Sequence, residues 1–263
     1  MFARMIERLK ELTPKVTWNV MMENVASMTD AARSTITREL RPVCDSQPYC
    51  IDAEAVGHIN RPRLYWLNWR PAPGEFVFTD SSRGYVNVTN PSEARLPIDA
   101  LLDPGVTKVG YRPFPTAVRW FETERPPSAP VGYDDCDEDT LEKWAANRYG
   151  LPPYHFKREL GVRTADGEER PPNANERERL HGFQLGHTDG YSEHQRISFL
   201  GNTFHCIVVA HLFSTWAVRS GYIPAVPTIA QLWSGAGYVT LGPDAVETIR
   251  SLSCERLSNT KLT

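Results

Sequence analysis

The stretch that decides the fold is "VTWNVMMENVASM", residues 16–28. Its continuous apolar run, with β-branched and aromatic members, reads as a buried strand that ends at a carboxylate and an amide, Glu23 and Asn24. Just before it, "FARMIERLKELTP" places Phe2, Met5, Ile6, Leu9 and Leu12 at helical spacing and stops at Pro14, as an amphipathic helix should. A helix followed by a buried strand is half of a βαβ unit and predicts a parallel sheet. Thr29 and Asp30 can cap a second helix, "AARSTITREL", whose end is set by Pro42. "YCIDAEAV" and "RLYWLNW" then read as two short strands joined by the polar "GHINRP". The first seventy residues are therefore α/β.

Between Arg70 and Pro172 the texture changes, because 14 of the chain's 21 prolines fall there, beside the acidic run "DDCDED" at 134–139. Proline excludes continuous helix and central sheet, so this reads as an irregular module inserted into the α/β unit. It holds short strands such as "TAVRWF" and one helix, "DTLEKWAANRY". Beyond it, "NANERERLHGF" reads as a short charged helix closed by Gly182, and "NTFHCIVVAHLFSTWAVRSG" as a long helix capped by Asn202 and ended by Gly221. The divisions are 1–69 for an α/β core, 70–172 for the module, 173–222 for a return to the core, and 223–263 for a C-terminal extension.

Composition narrows the function classes. With 263 residues, 41% of them hydrophobic, the chain can bury a substantial core. A net charge of −3 gives no global attraction to nucleic acid or acidic membrane, so any polyanion must be met by a local basic surface. Five cysteines, odd in number and without a CxxC pair, suggest reduced thiols inside a cell. No segment reads as a membrane span, and the first residues carry no signal-peptide pattern. His181, His187 and His194 lack the spacing of a zinc site, so no metal is expected. "NVT" at 87–89 matches a glycosylation acceptor that has no meaning inside a cell, and "DDCDED" reads as a solvated loop.

Four motifs in order carry a resemblance. "MMENVASM" is followed by a helix, by a strand bearing Asp in "YCIDAEAV", and by the paired arginines Arg61 and Arg63 in "INRPRLYW". After the variable module come Arg170, "ERERLHGF" with Glu176, Arg179, Leu180, Gly182 and Phe183, and the turn Gly201-Asn202 opening "GNTFHCIVVAHLF". In this order the chain resembles the carboxy-terminal part of the DNA (cytosine-5)-methyltransferases, closest to the eukaryotic de novo branch, over about residues 2–219. The resemblance implies the second half of a Rossmann-like class I methyltransferase sheet, with the proline-rich insertion as target-recognition module. It implies S-adenosylmethionine as cofactor and double-stranded DNA as partner. Its location would be the nucleus in a eukaryote and otherwise the cytoplasm.

The chemistry of that reaction asks for these residue types. Cytosine accepts a thiolate at C6 only when N3 is neutralised by a proton or strong hydrogen bond, and C5 then becomes nucleophilic toward a methyl donor. By resemblance, Glu23 is the carboxyl at the cytosine edge, Arg63 holds the base O2, and Arg61 supports the pocket or a backbone phosphate. Asn24 and Val25 fix the loop of Glu23, and Gly201 and Asn202 lie beside the amino-acid end of the cofactor. A flipped-out base is required to reach them. Glu176 and Arg179, three apart, are read as an internal ion pair.

The family's Phe-x-Gly-x-Gly cofactor loop and Pro-Cys nucleophile loop have no counterpart ahead of Glu23, and Ile59 stands where the arginine motif expects Gln. Cys44 in "RPVCDSQP" follows the Glu-Asn-Val strand instead of preceding it and is read as an ordinary thiol. "IAQLWSGAG" places Trp233, Gly235 and Gly237 like a permuted cofactor loop, against the plainer reading of a glycine-containing turn. The expectation is a methyltransferase segment that is inactive alone, either as the product of a truncated gene reading or as one half of a split enzyme that takes the missing motifs from a second chain. The alternative is a non-catalytic, methyltransferase-like regulatory or DNA-binding subunit that supports an active partner.

Overall fold

The computed structural model describes residues 2–44, 47–72, 76–90, 96–116, 122–128 and 130–234. The N-terminal part runs α1 (Phe2–Leu12), β1 (Met21–Val25), α2 (Asp30–Leu40), β2 (Tyr49–Asp52), β3 (Ile59–Asn60), β4 (Pro62–Leu67), β5 (Val77–Ser81) and β6 (Tyr85–Thr89). There follow β7 (Thr107–Lys108), β8 (Phe114–Pro115), α3 (Glu138–Ala146), β9 (Val162–Arg163), β10 (Glu169–Arg170), α4 (Ala174–Leu180), α5 (Glu193–Asn202), α6 (Cys206–Arg219) and α7 (Ile229–Trp233).

The central sheet is mixed, in the order β1-β4-β2-β6-β5. β4 pairs antiparallel with both β1 and β2, and β2 pairs parallel with β6. β1 and β2 therefore run the same way, as a β-α-β crossover through α2 requires, but β4 has inserted between them. The expectation of a parallel sheet holds for direction and fails for pairing. β4 follows β2 after a short reversal, and Asp52 organises that turn, its Oδ1 accepting from the amides of Arg61 (2.6 Å) and Glu54 (3.1 Å).

Alternation along β4 distributes the core. Leu64 and Trp66 face α1 and α2, packing with Ile6, Val20, Leu40 and Val43. Tyr65 and Leu67 face the opposite layer, where Ile207, Val208 and Leu212 of α6 and Ile229 and Leu232 of α7 cover them. Two helical layers thus enclose one sheet. The stripe on α1 is narrower than its spacing suggests, since Ile6 is buried while Met5 and Leu12 are exposed. Thr29 caps α2, its side chain accepting from Ala32 N at 3.2 Å.

The sheet does not end at residue 70. β5 and β6 form a hairpin that extends it through β2. The rest of the proline-rich segment builds on two small apolar clusters, one around Leu101, Leu102, Phe114, Val162 and Leu180 and another around Trp144, Leu151, Phe156 and Ile197. The "TAVRWF" strand lies, apart from Thr116, outside the described residues.

Three expectations are corrected. Asn202 does not cap the last helix. It ends a separate helix, α5, and His205 precedes α6. α5 went unread because its only strong apolar anchors are Ile197 and Leu200. Second, Glu176 and Arg179 do not pair: Glu176 binds Arg170 at 2.7 Å and Arg179 binds Asp103. Third, the helical stretch Glu193–Arg219 is long and apolar enough by composition to cross a membrane. It is interrupted between α5 and α6, and α6 is buried against the sheet through Ile207, Val208 and Leu212.

Candidate active site

In the β1–β4 ladder Glu23 lies opposite Tyr65 and Val25 opposite Arg63, so Glu23 and Arg63 are diagonal neighbours on one sheet face. They meet: Arg63 Nε lies 2.8 Å from Glu23 Oε1, with side-chain exposures of 12% and 20%. Arg63 Nη1 donates to Pro62 O at 2.9 Å. Glu23 Oε2 and Arg63 Nη2 have no bond among the described residues, leaving an acceptor or carried proton beside a fixed donor.

Burial raises the Glu23 carboxyl above its ordinary range, and the nearby charges of Arg63 and Arg61 offset that only in part. Desolvation therefore dominates, and Glu23 holds a proton more readily than an exposed carboxylate. The Tyr65 phenol, buried alongside, is pushed up by the same desolvation and then by the charge of Glu23.

Arg61 plays a different part. It is 3% exposed, and its guanidinium donates to Thr116 Oγ1, to Gly201 O at 3.1 Å and to Thr203 O. One side chain thereby ties the sheet to the end of β8 and to the α5–α6 turn. Burial and the neighbouring Arg63 lower its pKa to about 10. Arg61 supports the site from behind, with these donors taken. Asn24 Oδ1 accepts from Val25 N at 2.8 Å, shaping the end of β1.

The two expected cofactor residues are engaged within the chain. Gly201 gives its carbonyl to Arg61, and the exposed Asn202 donates from Nδ2 to Ser198 O at 2.9 Å. They do not form a helix-start cradle, because they end α5. Gly235 and Gly237 lie outside the described residues, while Trp233 Nε1 donates to Val56 O at 2.6 Å. Cys44 is buried, and burial pushes its thiol up to about 11, away from nucleophilic character.

Thr116, Tyr65 and the carbonyls of Gly201 and Thr203 were not expected at the site. Alternation of positions 61, 63 and 65 in "RPRLYW" could have shown Tyr65. Thr116 and the turn carbonyls are 55 and 140 residues or more from Arg61 and leave no local signal.

No protein-family model matches the chain, and no curated protein matches it. Among solved structures it is similar to the Dnmt2 methyltransferase of S. pombe, with 16% identity, 83% of this chain and 74% of that chain covered, and a TM-score of 0.38. That is a distant likeness to a methyltransferase, and the reading of the site rests on the geometry given above.

Proposed function

We propose that this chain carries the base-binding half of a DNA cytosine-5 methyltransferase site, to be completed by a nucleophile loop and a cofactor loop. The observation that supports it is the Glu23–Arg63 pair, a carboxyl whose desolvation favours the protonated form beside a guanidinium fixed on the next strand. Protonated Glu23 would donate to N3 of an extruded cytosine and accept from its exocyclic amine, while Arg63 Nη2 donates to O2. Neutralising N3 in this way opens C6 to a thiolate nucleophile. S-adenosylmethionine, the cofactor that the resemblance implies, would bring the methyl group. Arg61 and Thr116 would hold the pocket wall.

The test mixes this chain with a polypeptide carrying the missing loops and follows labelled methyl transfer to duplex DNA. Transfer that needs both chains and is lost by at least a hundredfold in Glu23→Ala supports the reading. Transfer that survives Glu23→Ala, while deletion of residues 70–172 prevents complex formation, supports the regulatory subunit instead.

A further inference from the structure

The row that carries Glu23 continues across the whole central sheet. Glu23 lies opposite Tyr65, Tyr65 opposite Tyr49, Tyr49 opposite Val86 and Val86 opposite Asp80, so these side chains stand on one face. α6 and α7 cover the middle of that face. Its far margin holds a cavity of about 360 Å³ over Tyr49, Phe78 and Val86, with Arg70 and Pro71 beyond the end of β4 on one side and Asp80 of the edge strand β5 on the other. Asp80 stands four strand spacings from Glu23, roughly 19 Å, which separates this cavity from the candidate active site.

The floor is apolar and well defined. Tyr49 and Phe78 flank β6, opposite Val86 and Val88, and their rings meet edge to face with centroids 5.8 Å apart at 83°. Tyr49 is 8% exposed, and burial pushes its phenol up, an effect that the nearby charge of Arg70 offsets in part. The Arg70 guanidinium therefore acts on the floor of the cavity.

The rim carries two opposite charges that do not meet. Arg70 and Asp80 are exposed, and neither side chain forms an ion pair or a hydrogen bond among the described residues. The strands that lead to them, β4 and β5, are three spacings apart, roughly 14 Å, with β2 and β6 between. A guanidinium offers its planar fork to a carboxylate, and Asp80 offers an acceptor to an ammonium. An apolar lining with a few polar groups that fix orientation is the usual construction of a small-molecule site, and the volume falls in the usual range of about 300–1,000 Å³. A simple anion would face the Asp80 carboxylate, and a simple cation would face Arg70. A ligand with both charges and an apolar body satisfies the whole rim and floor.

We propose that this cavity binds a free apolar α-amino acid, with its carboxylate on Arg70, its ammonium on Asp80 and its side chain over Tyr49 and Phe78. The assignment is independent of the methyl-transfer reading of Glu23.

Isothermal titration calorimetry of the full chain with L-leucine and with L-phenylalanine tests it, beside the methyl ester of each, which lacks the carboxylate charge, and the N-acetyl derivative, which lacks the ammonium. The free amino acids are expected to bind saturably, and each blocked derivative about tenfold more weakly. Two exposed substitutions separate recognition from general weakening. R70Q is expected to bind the free amino acid and its ester alike while still rejecting the N-acetyl form, and D80N is expected to do the reverse. Glu23→Ala is expected to bind as the wild type does, because its carboxylate lies outside the cavity. Failure of both amino acids to saturate below about 10 mM overturns the proposal. So does equal binding of the free and blocked forms, or equal weakening of every ligand in R70Q and D80N. Displacement of the bound amino acid by S-adenosylmethionine at equal affinity would assign the cavity to the amino-acid end of that larger molecule and overturn the assignment to a free amino acid.

Discussion

Glu178 and Glu23 are both carboxylates bound to an arginine, in two regions of the molecule that treat them oppositely. On α4, Glu178 is fully buried and saturated. Its Oε1 accepts from Thr188 N at 2.7 Å, from Thr188 Oγ1 and from Arg196 Nη2 at 3.0 Å, and its Oε2 accepts from Gly186 N at 2.8 Å. Burial alone would raise its pKa, but the bonds from Thr188, Arg196 and Gly186 outweigh it and hold the carboxyl below its ordinary range. On β1, Glu23 has one arginine contact, an unbonded oxygen and a raised pKa. A carboxylate surrounded by donors is part of the scaffold, whereas one that is desolvated without enough donors has chemistry left to do.

The largest expected effect comes from acid. The scaffold side encloses His155, His181, His205 and His211, all buried, with burial lowering His205 to about 3, His211 to about 4 and the other two well below the usual value. The unfolded chain takes up these protons at about pH 6.5 while the folded chain does not, so stability is full above that pH and falls as pH drops below it. Each histidine costs about 1.4 kcal/mol per pH unit, roughly 5 kcal/mol for four at pH 5.5. Urea titrations at pH 7.5 and 5.5 measure it; equal midpoints would mean that the histidines can be charged in place.

Removing the saturated carboxylate comes next. Glu178→Ala leaves Arg196 and the Gly186 and Thr188 amides without their acceptor inside the protein, a loss of about 3–5 kcal/mol. The loop 183–191 should lose amide-exchange protection first. A loss under about 1 kcal/mol would show that water replaces the carboxylate and would erase the contrast with Glu23.

Arg61 joins the two regions, and its substitution is intermediate in size. Arg61→Met keeps the stem and removes three donor contacts to Thr116, Gly201 and Thr203, with an expected cost of about 2–3 kcal/mol. Hydrogen exchange at the α5–α6 turn should rise while β2 and β4 stay protected. Uniform loss of protection would make Arg61 a general core residue and not a clasp on that turn.

These contrasts explain what was legible in the sequence. "MMENV" and "RLYWL" were readable as strands, and "AARSTITREL" as a capped helix, because apolar periodicity and a capping threonine are local signals. That Glu23 and Arg63 converge was implied by the resemblance alone, and the ladder register puts them within reach. The insertion of β4 between β1 and β2 was not legible, because pairing partners are chosen by tertiary packing. Nor was α5, where "EHQRISFLGN" buries only two apolar side chains and takes its anchoring from Glu178 through Arg196. α4 was read as a short charged helix with an internal Glu176–Arg179 pair, whereas Glu176 and Glu178 are both fully enclosed and take their arginines, Arg170 and Arg196, from outside the helix. Charge looks the same in a sequence whether or not partners distant in the chain surround it.

The smallest effect is the most informative about the site. Glu23→Gln keeps the side-chain shape and removes the charge. Because desolvation already outweighs the attraction of Arg63 and Arg61, the ionised carboxylate contributes little net stability, and the change should stay within about 1 kcal/mol. Carbon-detected titration of the carboxyl groups supplies the sharper measurement. Glu23, raised, should take its proton above the ordinary glutamate midpoint, and Glu178, lowered, below it. As pH falls, Arg63 is then released from its ion pair before Arg196 is, and the acid at β1 becomes a proton donor while the scaffold is still held by its own carboxylate. The reverse order would make Glu23 an ordinary strand-edge ion pair and remove the physical reason for placing a base beside it.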